Sequence, residues 1–124
     1  MAVPRARRWL QLDAVYCGGG ALIALALAEP LGRLFHVSTL LVLAIGAATA
    51  CWTLVLVWLT RTGDLRQPLR IVAAVNAVAS AAVAVLAAVE PARAARLLLI
   101  AVAIEVAAFA VAQMRLLASR DAAR

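Results

Sequence analysis

The chain has 124 residues, 67% of them hydrophobic and 15% charged, where soluble domains run at roughly 45–50% and about 25%. Its 12 basic residues are all Arg, and its net charge of +6 is spread over the flanks of apolar runs without aromatic interleaving, which argues against a nucleic-acid groove. A lipid bilayer is the partner this composition fits.

The first apolar run extends from Trp9 to Ala28 and holds one carboxylate, Asp13, near its start. Arg5, Arg7 and Arg8 before it and Ala26-Leu27-Ala28 at its end imitate a cleavable secretion signal. Asp13 and the Gly18-Gly19-Gly20 run weaken that apolar region, so the segment reads as a retained span. The second run, Val37 to Thr60, and the third, Ile71 to Val89, are uncharged, and the fourth, from Leu97 to Met114, carries only Glu105. At a rise of about 1.5 Å per residue each is long enough for a hydrocarbon core about 30 Å thick. Barrel strands would be shorter and would alternate in polarity. The expected fold is therefore all-α: an integral membrane four-helix antiparallel bundle, one domain over 1–124, with helices over 9–28, 37–60, 71–89 and 97–117. The segments left over, Glu29 to His36, Arg61 to Arg70 and Glu90 to Arg96, are too short for an extramembrane domain.

Arg placement sets the orientation, because positive side chains beside a span resist translocation. Arg5, Arg7, Arg8, Arg61, Arg66, Arg70, Arg115, Arg120 and Arg124 fall on one side, and only Arg33, Arg93 and Arg96 on the other. Both termini are thus expected in the cytoplasm, as a multi-pass protein of a bacterial inner membrane. Trp9 and Trp58 then lie at the cytoplasmic interface, where indoles are favoured. Heavy use of Ala, Arg, Leu and Val without Lys suggests a high-GC genome. Glu29-Pro30 and Glu90-Pro91 stand at matching places in the two halves, which leaves a duplicated hairpin open, and the two prolines read as equivalent breaks.

Ionisable groups within spans are costly, so each is a candidate site. Glu105 lies ten residues from Arg115, about 15 Å of helix, close to the midplane. It reads either as a group that takes up and releases a proton during transport or as a carboxyl that hydrogen-bonds between helices. Asp13 is shallower and is expected to pair with Arg70 or Arg115. Asp13, Tyr16, Cys17 and Gly20 share one helical stripe, expected to face inward. Asn76, Ser80 and Ala84 share a face of the third helix, and Gly46, Thr49 and Thr53 one of the second. Asp13, Asn76 and Gln113 come from three helices but lie within the cytoplasmic half of the bilayer, which predicts an interhelical polar cluster, read as packing specificity or, less favoured, as a vestibule open to the cytoplasm. Cys17 and Cys51 fall at similar depth but read as small apolar residues rather than a disulfide. His36 has no ligand-type neighbours, so no metal or haem is expected, and no cofactor-binding motif is present.

Leu12-Asp13-Ala14-Val15, Gly46, Asn76 and Gln113 before Arg115 together resemble an uncharacterised family of small four-span integral membrane proteins from high-GC bacteria. Members carry Trp shortly after the Asn, where this chain has Ala77, Val78, Ala79 and Ser80. The resemblance implies the four-span architecture and no activity. Small multidrug-resistance transporters, with their essential Glu in the first helix, and fluoride channels, with a Thr-rich, Phe-containing third helix, do not match. A non-enzymatic accessory or structural membrane component is the favoured expectation, self-associating or bound to a membrane-protein partner. The alternative is a small proton-coupled transporter using Glu105.

Overall fold

The computed structural model describes the backbone of residues 2–122 and the side chains of residues 3–119. It is helical throughout, with α1 (Ala2–Ala26), α2 (Ala28–Leu34), α3 (Thr39–Leu59), α4 (Arg66–Val89) and α5 (Arg93–Ala122). Four of these are long and apolar enough to cross a membrane, over Val3–Ala26, Thr39–Leu59, Arg66–Val89 and Arg93–Ser119.

Three long helices reach past the apolar runs that predict them. α1 starts at Ala2 rather than 9, α4 at Arg66 rather than 71, and α5 at Arg93 rather than 97. Hydrogen-bonded backbone continues into the arginine flanks because each N–H and C=O there still needs a partner. Pro4 and Pro68 fit, since each is the third residue of its helix, where the proline nitrogen forgoes no intrahelical bond.

The connection expected as a loop over residues 29–36 is instead mostly helical. Pro30 is the third residue of α2, so it opens a helix, whereas Pro91 follows the extended Glu90 that ends α4 (φ −73°, ψ 120°). The two prolines therefore do different work. Glu29 in the first turn of α2 bonds Arg33 one turn later at 2.6 Å, an order that also suits the helix dipole. α2 ends in a Schellman turn: Val37 N–H reaches Gly32 O at 2.9 Å and His36 N–H reaches Arg33 O at 3.4 Å. His36 holds the left-handed position, φ 54°. Ser38 then caps α3, its Oγ accepting from Leu41 N–H at 3.1 Å.

α1 lies against α3, and α4 against α5. Gly46 is what lets the first pair close: a Cβ built there would stand 3.0 Å from Leu25 Cγ and 3.2 Å from Ala24 Cβ. In the second pair Ser80 Oγ donates to Ala103 O at 2.8 Å. The main core lies at the end of the molecule that holds the start of α1, the 60–65 turn and the last turns of α5, here termed the terminal end. There Leu10 and Ala14 of α1 meet Leu56 of α3 and Leu69 and Val72 of α4. Elsewhere large apolar side chains cover the outside, among them Val15, Leu22, Leu40, Leu54, Val78 and Val89, all at least two-thirds exposed. Helices apolar all round suit a bilayer rather than water.

Candidate functional site

Asp13, one turn beyond Trp9 on α1, is 1% exposed. Burying a carboxyl is tolerable only with donors supplied. Asn76 Nδ2 donates to Asp13 Oδ2 at 2.6 Å, and Gln113 Nε2 donates to the same oxygen at 2.8 Å. Asn76 Nδ2 also reaches Gln113 Oε1 at 3.2 Å, so the two amides are joined directly. The Cys17 thiol, one turn along α1, faces Asp13 Oδ1 at 3.6 Å. Asn76 and Gln113 are as buried as the carboxyl, at 4% and 0%. The structure thus brings Asp13, Asn76 and Gln113 into one clasp that ties α1, α4 and α5.

Two details differ from the sequence expectation. Asp13 takes amide donors rather than an arginine: Arg70 and Arg115 are exposed, and among the described residues neither forms an ion pair with it. An amide is far cheaper to bury than a guanidinium, so the clasp forms where the helices are fully packed. Second, the stripe of Asp13, Tyr16, Cys17 and Gly20 is inward only in part, because Gly20 is exposed.

Glu105 stands outside the clasp. It is exposed on α5, and Tyr16 Oη donates to its Oε2 at 2.5 Å, a second polar link between α1 and α5. Phe109, one turn further along α5, packs between them: its ring lies 5.4 Å from that of Tyr16 and 6.0 Å, edge to face, from that of Trp9. Glu105, Phe109 and Gln113 recur at every fourth position of α5, and Trp9, Asp13 and Tyr16 share the facing stripe of α1. That pairing of spacings was the available signal for Tyr16 and Phe109, which sequence reasoning passed over as partners.

Cys17 and Cys51 are both free thiols, Cys51 exposed and Cys17 turned to Asp13. Thr49 and Thr53 return their hydroxyls to their own helix, at Ile45 O (2.8 Å) and Thr49 O (2.9 Å). Ala84 is exposed beside the groove between α4 and α5. Chemically, the clasp holds helices together through buried amide-to-carboxyl and amide-to-amide hydrogen bonds, while Glu105 keeps a carboxyl within reach of the surroundings. Comparison with protein-family profiles, curated proteins and solved structures gives no match.

Proposed function

We propose that this chain is a non-enzymatic accessory or structural component of a bacterial inner membrane. In this reading the four apolar helices span the bilayer as an antiparallel bundle with both termini in the cytoplasm, and the polar residues within them serve assembly. The observation that carries the proposal is the Asp13–Asn76–Gln113 clasp, whose three buried side chains hydrogen-bond one another across three helices. The partner is a second copy or a larger membrane protein, recognised through the exposed apolar faces of the helices.

One feature favours a second reading, a proton-coupled transporter. Glu105 is exposed, near the middle of its span, and shares its carboxyl with a single hydroxyl; such a group can exchange a proton while Tyr16 follows it. Proteoliposomes of wild type and Glu105→Gln, under an imposed potential and with a panel of cationic and metabolite substrates, separate the two. The accessory role predicts background flux in both and co-purification of the chain with a larger complex from native membranes. Substrate-dependent flux lost in Glu105→Gln would replace it with transport.

A further inference from the structure

A groove of about 710 Å³ runs between α1 and α3 at the terminal end, and its lining changes character along the helix axis. At one end stand Arg7 of α1 and Arg61 just beyond α3, with Gln11 and Thr60 beside them; further along the two helices the lining is Ala14 and the exposed Val15 and Val57. Both guanidinium groups are exposed, and among the described residues neither has a hydrogen bond or an ion pair. Thr60 spends its hydroxyl proton on Val57 O at 2.7 Å, leaving its oxygen lone pairs and the Gln11 amide as the neutral polar groups of the rim. Beyond Val15, Gly19 adds no bulk, with nothing within 4 Å of where its Cβ would be, and the exposed Leu22 and Leu54 continue the apolar surface.

Two arginine forks above an apolar furrow match one kind of occupant: a phosphodiester over an acyl chain. We infer that this groove binds an anionic phospholipid, its phosphate on Arg7 and Arg61 and an acyl chain along Val15 and Val57. The inference rests on the proposed membrane insertion, which puts the two arginines at the cytoplasmic interface, where anionic headgroups attract basic residues. The groove at the opposite end of the molecule, about 410 Å³ between α4 and α5, is a useful contrast. Its arginine, Arg96, is committed through Nε and Nη2 to Glu90 O, at 2.8 and 2.7 Å. It therefore offers no comparable pair of open forks.

Native mass spectrometry of detergent-purified protein titrated with phosphatidylglycerol tests the site. Wild type is expected to retain one phosphatidylglycerol and to show no such step with phosphatidylcholine. Arg7→Gln with Arg61→Gln is expected to weaken that step about tenfold or more. Arg70→Gln with Arg115→Gln removes the same charge from α4 and α5, outside the groove's lining, and is expected to change it less than about twofold. Val15→Trp fills the furrow, leaves both cations in place and is expected to reduce occupancy as well. Equal weakening by both arginine pairs, unchanged occupancy in Val15→Trp, or displacement of the lipid by free inorganic phosphate would each overturn the assignment. Failure of the membrane reading shows separately, as release of the chain from membranes by alkaline carbonate.

Discussion

At the scale of single residues, the consequential choice is a carboxylate with no cation beside it. Asp13 is surrounded by groups that donate: two amides on one oxygen and a thiol on the other. Asp13→Asn keeps the size and can still turn its oxygen to both amides, but its NH2 then stands where Oδ1 accepted the Cys17 thiol, leaving a buried donor with only a weak sulfur acceptor. The expected loss is about 1–3 kcal/mol of stability, read from unfolding in mixed detergent micelles. Asn76→Asp, which sets two carboxyls face to face, is expected to lose more, and equal stability of either variant with wild type would remove the clasp from the account. His36 offers a gain instead. Its left-handed conformation (φ 54°) costs an ordinary residue about 1–2 kcal/mol, so His36→Gly is expected to raise stability by a part of that, measured the same way. Depth made the cluster legible: Asp13, Asn76 and Gln113 all lie in the half of their spans nearer Arg8, Arg70 and Arg115. Choice of partner was not legible, because an Ala, Leu and Val background leaves the rotation of each helix about its axis unspecified, and Arg70 or Arg115 looked as near to Asp13 as the amides.

At the scale of helices, small residues decide how closely the pairs approach. Gly46 and Gly19 differ in this respect although both sit inside apolar helices. A Cβ at Gly46 would stand 3.0 Å from Leu25, whereas one at Gly19 meets nothing within 4 Å. Gly46→Leu is therefore expected to cost about 1–3 kcal/mol through overpacking, while Gly19→Ala gains about 0.5–1 kcal/mol by restricting the unfolded backbone. A side-by-side unfolding titration checks the sign of each. The apolar runs announced the long helices, but they could not announce α2, since its Glu29-Pro30 start reads equally well as a break and only the Schellman turn at its end resolves it. Nor did they give the full lengths of α1, α4 and α5, whose backbones stay helical after hydrophobicity ends.

At the scale of the whole molecule, the two helix pairs are joined chiefly through α1. Among the described residues, the hydrogen bonds and ring contacts that α1 makes with α4 and α5 all use its residues between Trp9 and Tyr16. Towards the opposite end, Ile23 of α1, Leu86 of α4 and Leu98 of α5 are exposed, surface that lipid or a partner helix covers in the proposed setting. The clasp, the Tyr16–Glu105 link and the lipid groove acquire their proposed roles only if the chain crosses the bilayer four times with the arginine-rich side in the cytoplasm. Labelling of introduced cysteines with a membrane-impermeant maleimide on intact cells tests that most directly, in a background where Cys17→Ser and Cys51→Ala remove the native thiols. The account predicts that His36→Cys and Ala94→Cys react from outside, and that Val3→Cys and Gly63→Cys react only after the membrane is opened. Reaction of Val3→Cys or Gly63→Cys in intact cells would contradict the topology and, with it, the functional assignment built on it.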